Sequence, residues 1–274
     1  MEIAEILSHC DHTLLRPGCT GEEIRALCDE ALRRGVASVC IPPCHVAGAK
    51  SYLGDRMKIC TVIGFPHGSS TPTVKAFEAQ EAIRDGADEI DMVVNLSMVK
   101  DACWDGVAEE LRRVRAFTQG HVLKVIIETC LLTEEEKKIL CELVSASGAE
   151  YIKTSTGFSD GGATAEDVAL LRECSAPGLK VKAAGGISSL EDAERFLALG
   201  ADRLGTSRLV RLADEAEAAA AAEAEALASS EAAQTESEPA ASDSMPEADA
   251  STVEPLPEPA PTEEKGFFAR IFKK

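Results

Sequence analysis

A glycine followed at once by a β-rich stretch recurs through the first two hundred residues of this chain: Gly86-Ala87-Asp88-Glu89-Ile90, Gly148-Ala149-Glu150-Tyr151-Ile152, Gly200-Ala201-Asp202-Arg203-Leu204 and, more loosely, Gly35-Val36-Ala37-Ser38-Val39. Glycine takes the left-handed conformation that ends a helix, and the residues after it suit the start of a strand. A helical pattern precedes each copy, as over residues 73–85, 133–147 and 189–199, the last with Ser188 or Ser189 as a cap ahead of Glu191. Strand and helix therefore alternate.

Eight candidate strands emerge, at residues 12–15, 38–41, 59–65, 89–94, 123–128, 151–155, 179–183 and 202–205. Eight alternating units in about 210 residues predict an α/β fold, a parallel (β/α)8 barrel (the TIM barrel) near the short end of its size range. An open doubly wound sheet is the runner-up, but the first strand-to-helix turn lacks the Gly-x-Gly-x-x-Gly pattern of a dinucleotide site.

Three strands carry charges where a buried strand should not. They are Tyr151-Ile152-Lys153-Thr154-Ser155, Leu179-Lys180-Val181-Lys182-Ala183 and Glu89-Ile90-Asp91-Met92-Val93-Val94. An unpaired charge in a low-dielectric interior is expensive, so such groups pair, shift their pKa, or both. Period-two spacing puts Tyr151, Lys153 and Ser155 on one face, Lys180 and Lys182 on one face, and Lys124, Ile126 and Glu128 on one face. Charges avoid the helix-packed side, which places Asp91, Lys124, Lys153 and Lys182 inside the barrel.

The net charge of −19 is uneven. Residues 212–264 hold 15 acidic side chains and no Lys or Arg, residues 265–274 hold four basic ones, and residues 1–211 carry −8. The front segment reads as one mildly acidic globular domain with no basic nucleic-acid footprint. Ten scattered cysteines behind an N-terminus without a secretory pattern predict reduced thiols and a cytoplasmic location. Cys40-x-x-x-Cys44-His45 has no second ligand pair at zinc-site spacing, so no metal is expected. No apolar run reaches membrane-spanning length.

A lysine attacks carbonyls only while some fraction is neutral, which desolvation or a neighbouring cation achieves. Lys182 supplies such a cation for Lys153. The amine then forms an iminium that permits cleavage of a carbon–carbon bond, with Asp91 moving protons directly or through a water. The bland alternative, lysines snorkelling to the rim with Asp91 as a partner or loop cap, weakens when three such residues sit on three strands. Gly157, Gly185-Gly186 and Gly205-Thr206-Ser207 follow the last three strands, where barrels commonly grip a phosphate.

Taken in order, several motifs resemble the deoxyribose-phosphate aldolase family over about residues 5–211. They are Asp11-His12-Thr13-Leu14-Leu15, Ile63-Gly64-Phe65-Pro66-His67-Gly68, Glu89-Ile90-Asp91-Met92-Val93-Val94-Asn95, Lys124-Val125-Ile126-Ile127-Glu128-Thr129, Tyr151 to Phe158, Val181-Lys182-Ala183-Ala184-Gly185-Gly186-Ile187 and Arg203-Leu204-Gly205-Thr206-Ser207. The resemblance implies a class I aldolase, needing no metal or cofactor, that reversibly cleaves 2-deoxy-D-ribose 5-phosphate to D-glyceraldehyde 3-phosphate and acetaldehyde in deoxyribonucleoside catabolism. By motif position, Lys153 matches the Schiff-base lysine, Lys182 the lysine that lowers its pKa, and Asp91 the proton-transfer carboxylate. Lys124 matches a supporting lysine, and Asp11, Thr13 and Cys40 match residues lining the site. Gly157, Gly185, Gly186 and Ser207 match the phosphate grip. The family commonly has a second serine after Ser207, where this chain has Arg208, a charge that either holds the phosphate or points away. Two alternatives are a Schiff-base barrel aldolase for another phosphosugar and a non-catalytic phosphosugar-binding barrel. The oligomeric state stays open, a homodimer included.

The C-terminal part lies outside the family pattern. Residues 213–233 are almost wholly Ala, Glu and Ser, which favour helix but offer little apolar face. Residues 235–264 add six prolines to the acidic residues and are expected to be disordered, so residues 212–264 read as a linker. At the end, Phe267, Phe268, Ile271 and Phe272 form one apolar stripe on a helix, with Lys265, Arg270, Lys273 and Lys274 around it. Residues 265–274 thus read as a docking peptide. A protein groove is the favoured target, as for peptides that recruit enzymes to bacterial microcompartment shells, and an anionic membrane surface is the runner-up.

Overall fold

The computed structural model describes residues 1–235, with side chains through residue 226. Among the described residues, eight parallel strands close into a barrel in chain order. They are β1 (Cys10–Thr13), β2 (Ser38–Ile41), β3 (Ile59–Ile63), β4 (Glu89–Val93), β5 (Val122–Ile126), β6 (Tyr151–Lys153), β7 (Lys180–Ala184) and β8 (Arg203–Thr206). A short helix, α1 (Ile3–Ser8), precedes β1. Around the barrel lie α2 (Gly21–Arg34), α3 (Val46–Leu53), α4 (Pro72–Arg84), α5 (Leu96–Lys100), α6 (Trp104–Phe117), α7 (Glu134–Ser147), α8 (Ala165–Cys174) and α9 (Leu190–Ala198), and α10 (Leu209–Thr235) follows β8 in the chain. The (β/α)8 barrel expected from the alternation is the fold.

Local chemistry sets the helix boundaries. Thr20 and Thr133 each accept from the amide of Glu23 or Glu136 and donate their own amide to that residue's carboxylate, so α2 and α7 start with capping boxes. Ser189, one of the two expected caps, accepts from the Asp192 amide at the start of α9. Gly35 and Gly148 end α2 and α7 in the left-handed conformation.

Strand parity sorts the barrel into two chemistries. Ile90 and Met92, Leu123 and Val125, Ile152, Val181 and Ala183, and Leu204 turn outward into one large apolar cluster with the helices. Their register neighbours Asp91, Lys124, Lys153 and Lys182 turn inward. The barrel interior holds only a small apolar cluster, Cys40, Cys60 and Val62 beneath Leu15 and Phe65. The outer layer therefore carries the hydrophobic stabilisation, each fully buried Leu or Ile contributing about 1.5–3 kcal/mol, and frees the interior for polar groups.

Five strands, β1 and β3 to β6, end one or two residues earlier than their sequence patterns suggest. After β3 the chain turns at Gly64, with φ of 58°, and after β5 at Glu128, with φ of 54°. β6 stops at Lys153. Glu128 thus leaves the period-two face assigned to it. Glu128 instead accepts from the amide of Thr156 at 3.2 Å and from its hydroxyl.

Outside the barrel interior, Lys75 on α4 and Glu110 on α6 form a fully buried ion pair at 2.7 Å. Lys75 also donates to the Val93 carbonyl at 2.7 Å, and Glu110 accepts from the Asn95 amide at 2.9 Å. Both bonds land at the C-terminal end of β4.

The boundary drawn from composition at residue 211 falls inside α10. Leu209, Val210 and Ala213 are buried, and Asp214 receives both guanidinium nitrogens of Arg33 at 2.9 Å. The first compact unit runs from Met1 to Glu225; of the second, only residues 226–235, helical in α10, are described. The remainder of the acidic linker and the 265–274 peptide lie outside the described residues.

Candidate active site

Asp91, in the middle of β4, is the hub of the interior. Its Oδ1 accepts from Lys124 at 2.8 Å, and its Oδ2 accepts from Lys153 at 2.8 Å and Lys182 at 2.7 Å. Strand register explains the convergence, because Asp91 pairs with Lys124 on β5, and Lys153 pairs with Lys182 on β7. Asp11 on β1 forms the second anionic centre. It accepts from Lys182 through Oδ2, and from Ser38 at 2.7 Å and Arg203 through Oδ1. Lys124 also reaches Glu89 at 2.6 Å, and Arg203 reaches Glu89 at 3.1 Å. Asp11, Asp91, Lys124 and Lys182 are fully buried and Lys153 is 3 % exposed, so Lys153 alone of this group has a share of accessible surface.

Burial works against ionisation of Asp91, but the ammonium groups of Lys124, Lys153 and Lys182 outweigh it and hold the carboxyl well below its ordinary range. Asp11 is held low in the same way, against burial, by Lys124, Lys182 and Arg203. Burial alone would strip the proton from Lys182, yet Asp11 and Asp91 keep it above the usual lysine range. Lys182 is thus a lasting cation beside Lys153.

Cys40 and Cys60 are register partners on β2 and β3. Cys60 donates to Asp91 Oδ1 at 3.2 Å, and burial raises its thiol pKa, whereas the Cys60 thiol draws Cys40 downward. Two sulfurs and an Asp91 oxygen lie within 4.8 Å of one another, but a carboxylate already bonded by three ammonium groups is a poor ligand for a divalent cation. The Cys40-x-x-x-Cys44-His45 segment does not converge on a metal either: Cys40 is buried and Cys44 is exposed.

Above the cluster opens a cavity of about 410 Å³, built from the loops after β1, β6, β7 and β8. Lys153 and Thr13 line it, with Gly157, Gly185, Gly186, Ser207 and Arg208 around it. Lys124, Lys182, Asp11, Asp91 and Cys40 do not; they lie in the interior. Gly185 and Gly186 have φ of 75° and 76°, a conformation costly for any side-chain-bearing residue. A Cβ on Gly162 would stand 2.4 Å from the Gly185 carbonyl carbon, so the β6 and β7 loops pack backbone against backbone. Glu128 pins Thr156, next to Gly157, and Phe158 stacks edge-to-face on Phe65 with ring centroids 5.2 Å apart. Arg16, Lys153 and Arg208 are the charged residues of the lining, and no carboxylate is among them, so the charge of the lining is positive. The Arg208 guanidinium has no hydrogen-bond or ion-pair partner among the described residues.

Sequence reading passed over Glu89, Arg203, Cys60 and Arg16 as site residues. Glu89 and Arg203 carried the signal used for the lysines, charge at an inward parity, Glu89 two residues before Asp91 and Arg203 two before Gly205. Arg16 lies in a loop, where no periodicity points to it. Lys180, placed on the Lys182 face, is exposed instead, with its ammonium 5.5 Å from the Tyr151 ring centre.

A family model described as DeoC/LacD family aldolase matches residues 6–202. A deoxyribose-phosphate aldolase of Streptococcus agalactiae is 55% identical over 212 residues, which is 77% of this chain and 95% of the relative. An aldolase structure designated QR15 superposes with a TM-score of 0.74 at 42% identity, covering 77% of this chain and 95% of that one. The tetrameric deoxyribose phosphate aldolase of Aeropyrum pernix gives a TM-score of 0.70 at 34% identity, covering 79% and 92%.

Proposed function

The chain belongs to the DeoC/LacD aldolase family, and from that premise we propose that it is a deoxyribose-phosphate aldolase, a carbon–carbon lyase working through a Schiff base on Lys153. The observation that carries the reading is Lys153 itself, which lines the cation-lined cavity while bonded from below to Asp91, beside the lasting cation Lys182.

The Lys153 amine attacks C1 of the open-chain 2-deoxy-D-ribose 5-phosphate, and loss of water gives an iminium. The iminium draws the electron pair of the C2–C3 bond as the C3 hydroxyl gives up its proton, releasing D-glyceraldehyde 3-phosphate and an enamine. Protonation at C2 and hydrolysis free acetaldehyde and restore the amine. The ammonium groups of Lys124, Lys153 and Lys182 favour the carboxylate form of Asp91, which orients Lys153 and a water through which protons pass between the substrate and the lysines. Gly157, Gly185, Gly186 and Ser207 offer backbone and hydroxyl groups to the phosphate, and Arg208 adds charge at the rim.

Borohydride reduction in the presence of acetaldehyde, followed by peptide mass analysis, tests the reading. An adduct on Lys153, together with release of both products, is expected; no adduct on any lysine favours the phosphosugar-binding barrel. Faster turnover with dihydroxyacetone than with acetaldehyde as donor favours the aldolase of another phosphosugar.

The partners are small phosphosugars and aldehydes. The Aeropyrum pernix relative is tetrameric, and Val74 and Phe77 on α4 stand 48% and 60% exposed, which supports self-assembly here, with a homodimer as the smallest form. Light scattering after gel filtration distinguishes this from a monomer. No helix among the described residues is long and apolar enough to cross a membrane; a cytoplasmic location is part of the proposal. The sequence of residues 265–274 supports docking to a protein groove of the shell type. Residues 262–274 fused to a fluorescent protein should give puncta in the native host. A peripheral rim identifies a membrane target, and diffuse signal equal to that of a Phe268→Ser, Phe272→Ser version removes the docking role.

A further inference from the structure

We propose that Arg203 and Glu89, in the layer beneath the lysines, are positioning residues that set the charge count of the buried cluster, so that Lys153 is its one surplus cation. The inference rests on the aldolase reading above.

The cluster is a closed set of groups, one or two from each strand. β1 supplies Asp11, β2 Cys40, β3 Cys60, β4 Glu89 and Asp91, β5 Lys124, β6 Tyr151 and Lys153, β7 Lys182, and β8 Arg203; Lys180 on β7 is exposed, at the Tyr151 ring. Three carboxylates face four cations. Arg203 stays protonated at any working pH, and its side chain is only 13% exposed between Asp11 and Glu89, with Tyr151 Oη at 3.4 Å.

Lys124 contacts Glu89 and Asp91, at 2.6 and 2.8 Å, and lies 3.5 Å from Asp11. Lys182 bridges Asp11 and Asp91. Arg203 bridges Asp11 and Glu89. Each of these three cations thus binds at least two carboxylates, and together they balance all three. Lys153 touches one carboxylate, Asp91, and shares that oxygen with Lys182. Loss of a proton from Lys153 leaves the cluster neutral, whereas loss from Lys124 or Lys182 breaks two or more ion pairs. A buried cluster favours neutrality because low dielectric leaves a net charge poorly solvated. The nucleophile is singled out by the count, and the count depends on a guanidinium that never touches substrate. The buried Cys60 thiol is a donor to Asp91 and counts as neutral. An ionised Cys40 would change the total but not the direction in which a substitution moves it.

The test is the pH profile of borohydride-trapped acetaldehyde adduct on Lys153, alongside kcat/KM for cleavage, in intact enzyme. Arg203→Met removes a fixed cation and moves the rising limb of the profile up by about one pH unit, with the rate recovering at alkaline pH. Glu89→Gln removes a carboxylate and moves it down by about one unit. The double variant restores the balance and returns the limb to within a few tenths of a unit of wild type, and Arg203→Lys, which keeps the charge, leaves it in place. A limb that stays put while only its height falls, or a double variant that sums the two losses, overturns the proposal. If Arg203→Met does not fold, Glu89→Gln decides, since an unshifted limb there has the same force. A wild-type enzyme that traps no acetaldehyde refutes the aldolase reading instead, which keeps the two failures apart.

Discussion

Lys153 and Lys182 sit opposite each other in the register of β6 and β7 and donate to the same oxygen, Asp91 Oδ2, at 2.8 and 2.7 Å. Two ammonium groups sharing one acceptor repel each other, and Lys182 also reaches Asp11. One member of the pair is therefore anchored twice and the other once. The singly anchored lysine is the one that lines the cavity.

Lys153→Ala is expected to abolish both cleavage and the borohydride-trapped adduct while the barrel still folds, because no other lysine lines the cavity. An adduct that persists in the variant, located by peptide mapping, would assign the Schiff base elsewhere.

Lys182→Ala removes the cation beside Lys153 and leaves Asp11 and Asp91 short of a partner. The rate at neutral pH should fall by at least about tenfold and recover in part as pH rises, since opposing carboxylates then favour the charged form of the remaining amine. A loss that is uniform from pH 6 to 10 would show that Lys182 acts by positioning substrate and not through charge.

Arg208→Ser should raise KM for 2-deoxyribose 5-phosphate by about tenfold, the order of one charge-assisted contact, and leave unphosphorylated 2-deoxyribose nearly unchanged. Parallel kinetics on the two substrates check this, and equal effects on both would place the guanidinium away from the phosphate.

Lys75→Met strands the Glu110 carboxylate in the outer layer with both partners fully buried. The expected cost is about 3–5 kcal/mol in urea unfolding, and Lys75→Met with Glu110→Gln should cost clearly less than the two single changes together. Additive costs would mean that the pair is uncoupled and that each side chain acts only through Val93 or Asn95.

Acid stability follows from Asp11, whose carboxyl is held below its ordinary range, against burial, by Lys124, Lys182 and Arg203. A depressed folded pKa gives stabilisation that is fully present above the unfolded value of about 4 and is lost as pH falls toward the folded one. The difference in thermal midpoint between wild type and Asp11→Asn should thus be constant from pH 7 to about 5 and shrink below about pH 4. A difference that grows on acidification would reverse the sign of the linkage.

Much of the site was legible before the fold was known, for a physical reason tied to particular residues. Asp91, Lys124, Lys153 and Lys182 stand at inward parities in otherwise apolar strands, and an ionisable group in such a setting must be partnered. Arg203 and Glu89 met the same criterion but lie near the strand starts, where an exposed rim position is equally compatible with the pattern. Glu128 was misread because alternation was continued past the end of β5; its φ of 54° sends the carboxylate to Thr156.

The sequence by itself determined the order of strands and helices, the closed barrel and the family, because periodicity, capping and glycine punctuation are local and because the motifs are contiguous. Only the tertiary structure decided who pairs with whom: that Lys182 bridges Asp11 and Asp91, which lie 80 positions apart in the chain, that Arg203 reaches across to Glu89, and that Arg16 joins Arg208 around one cavity. Such pairings depend on strand register and barrel closure, which bring the first and last strands side by side. Coulomb interactions act through distance in space, and distance in space is not written along the chain.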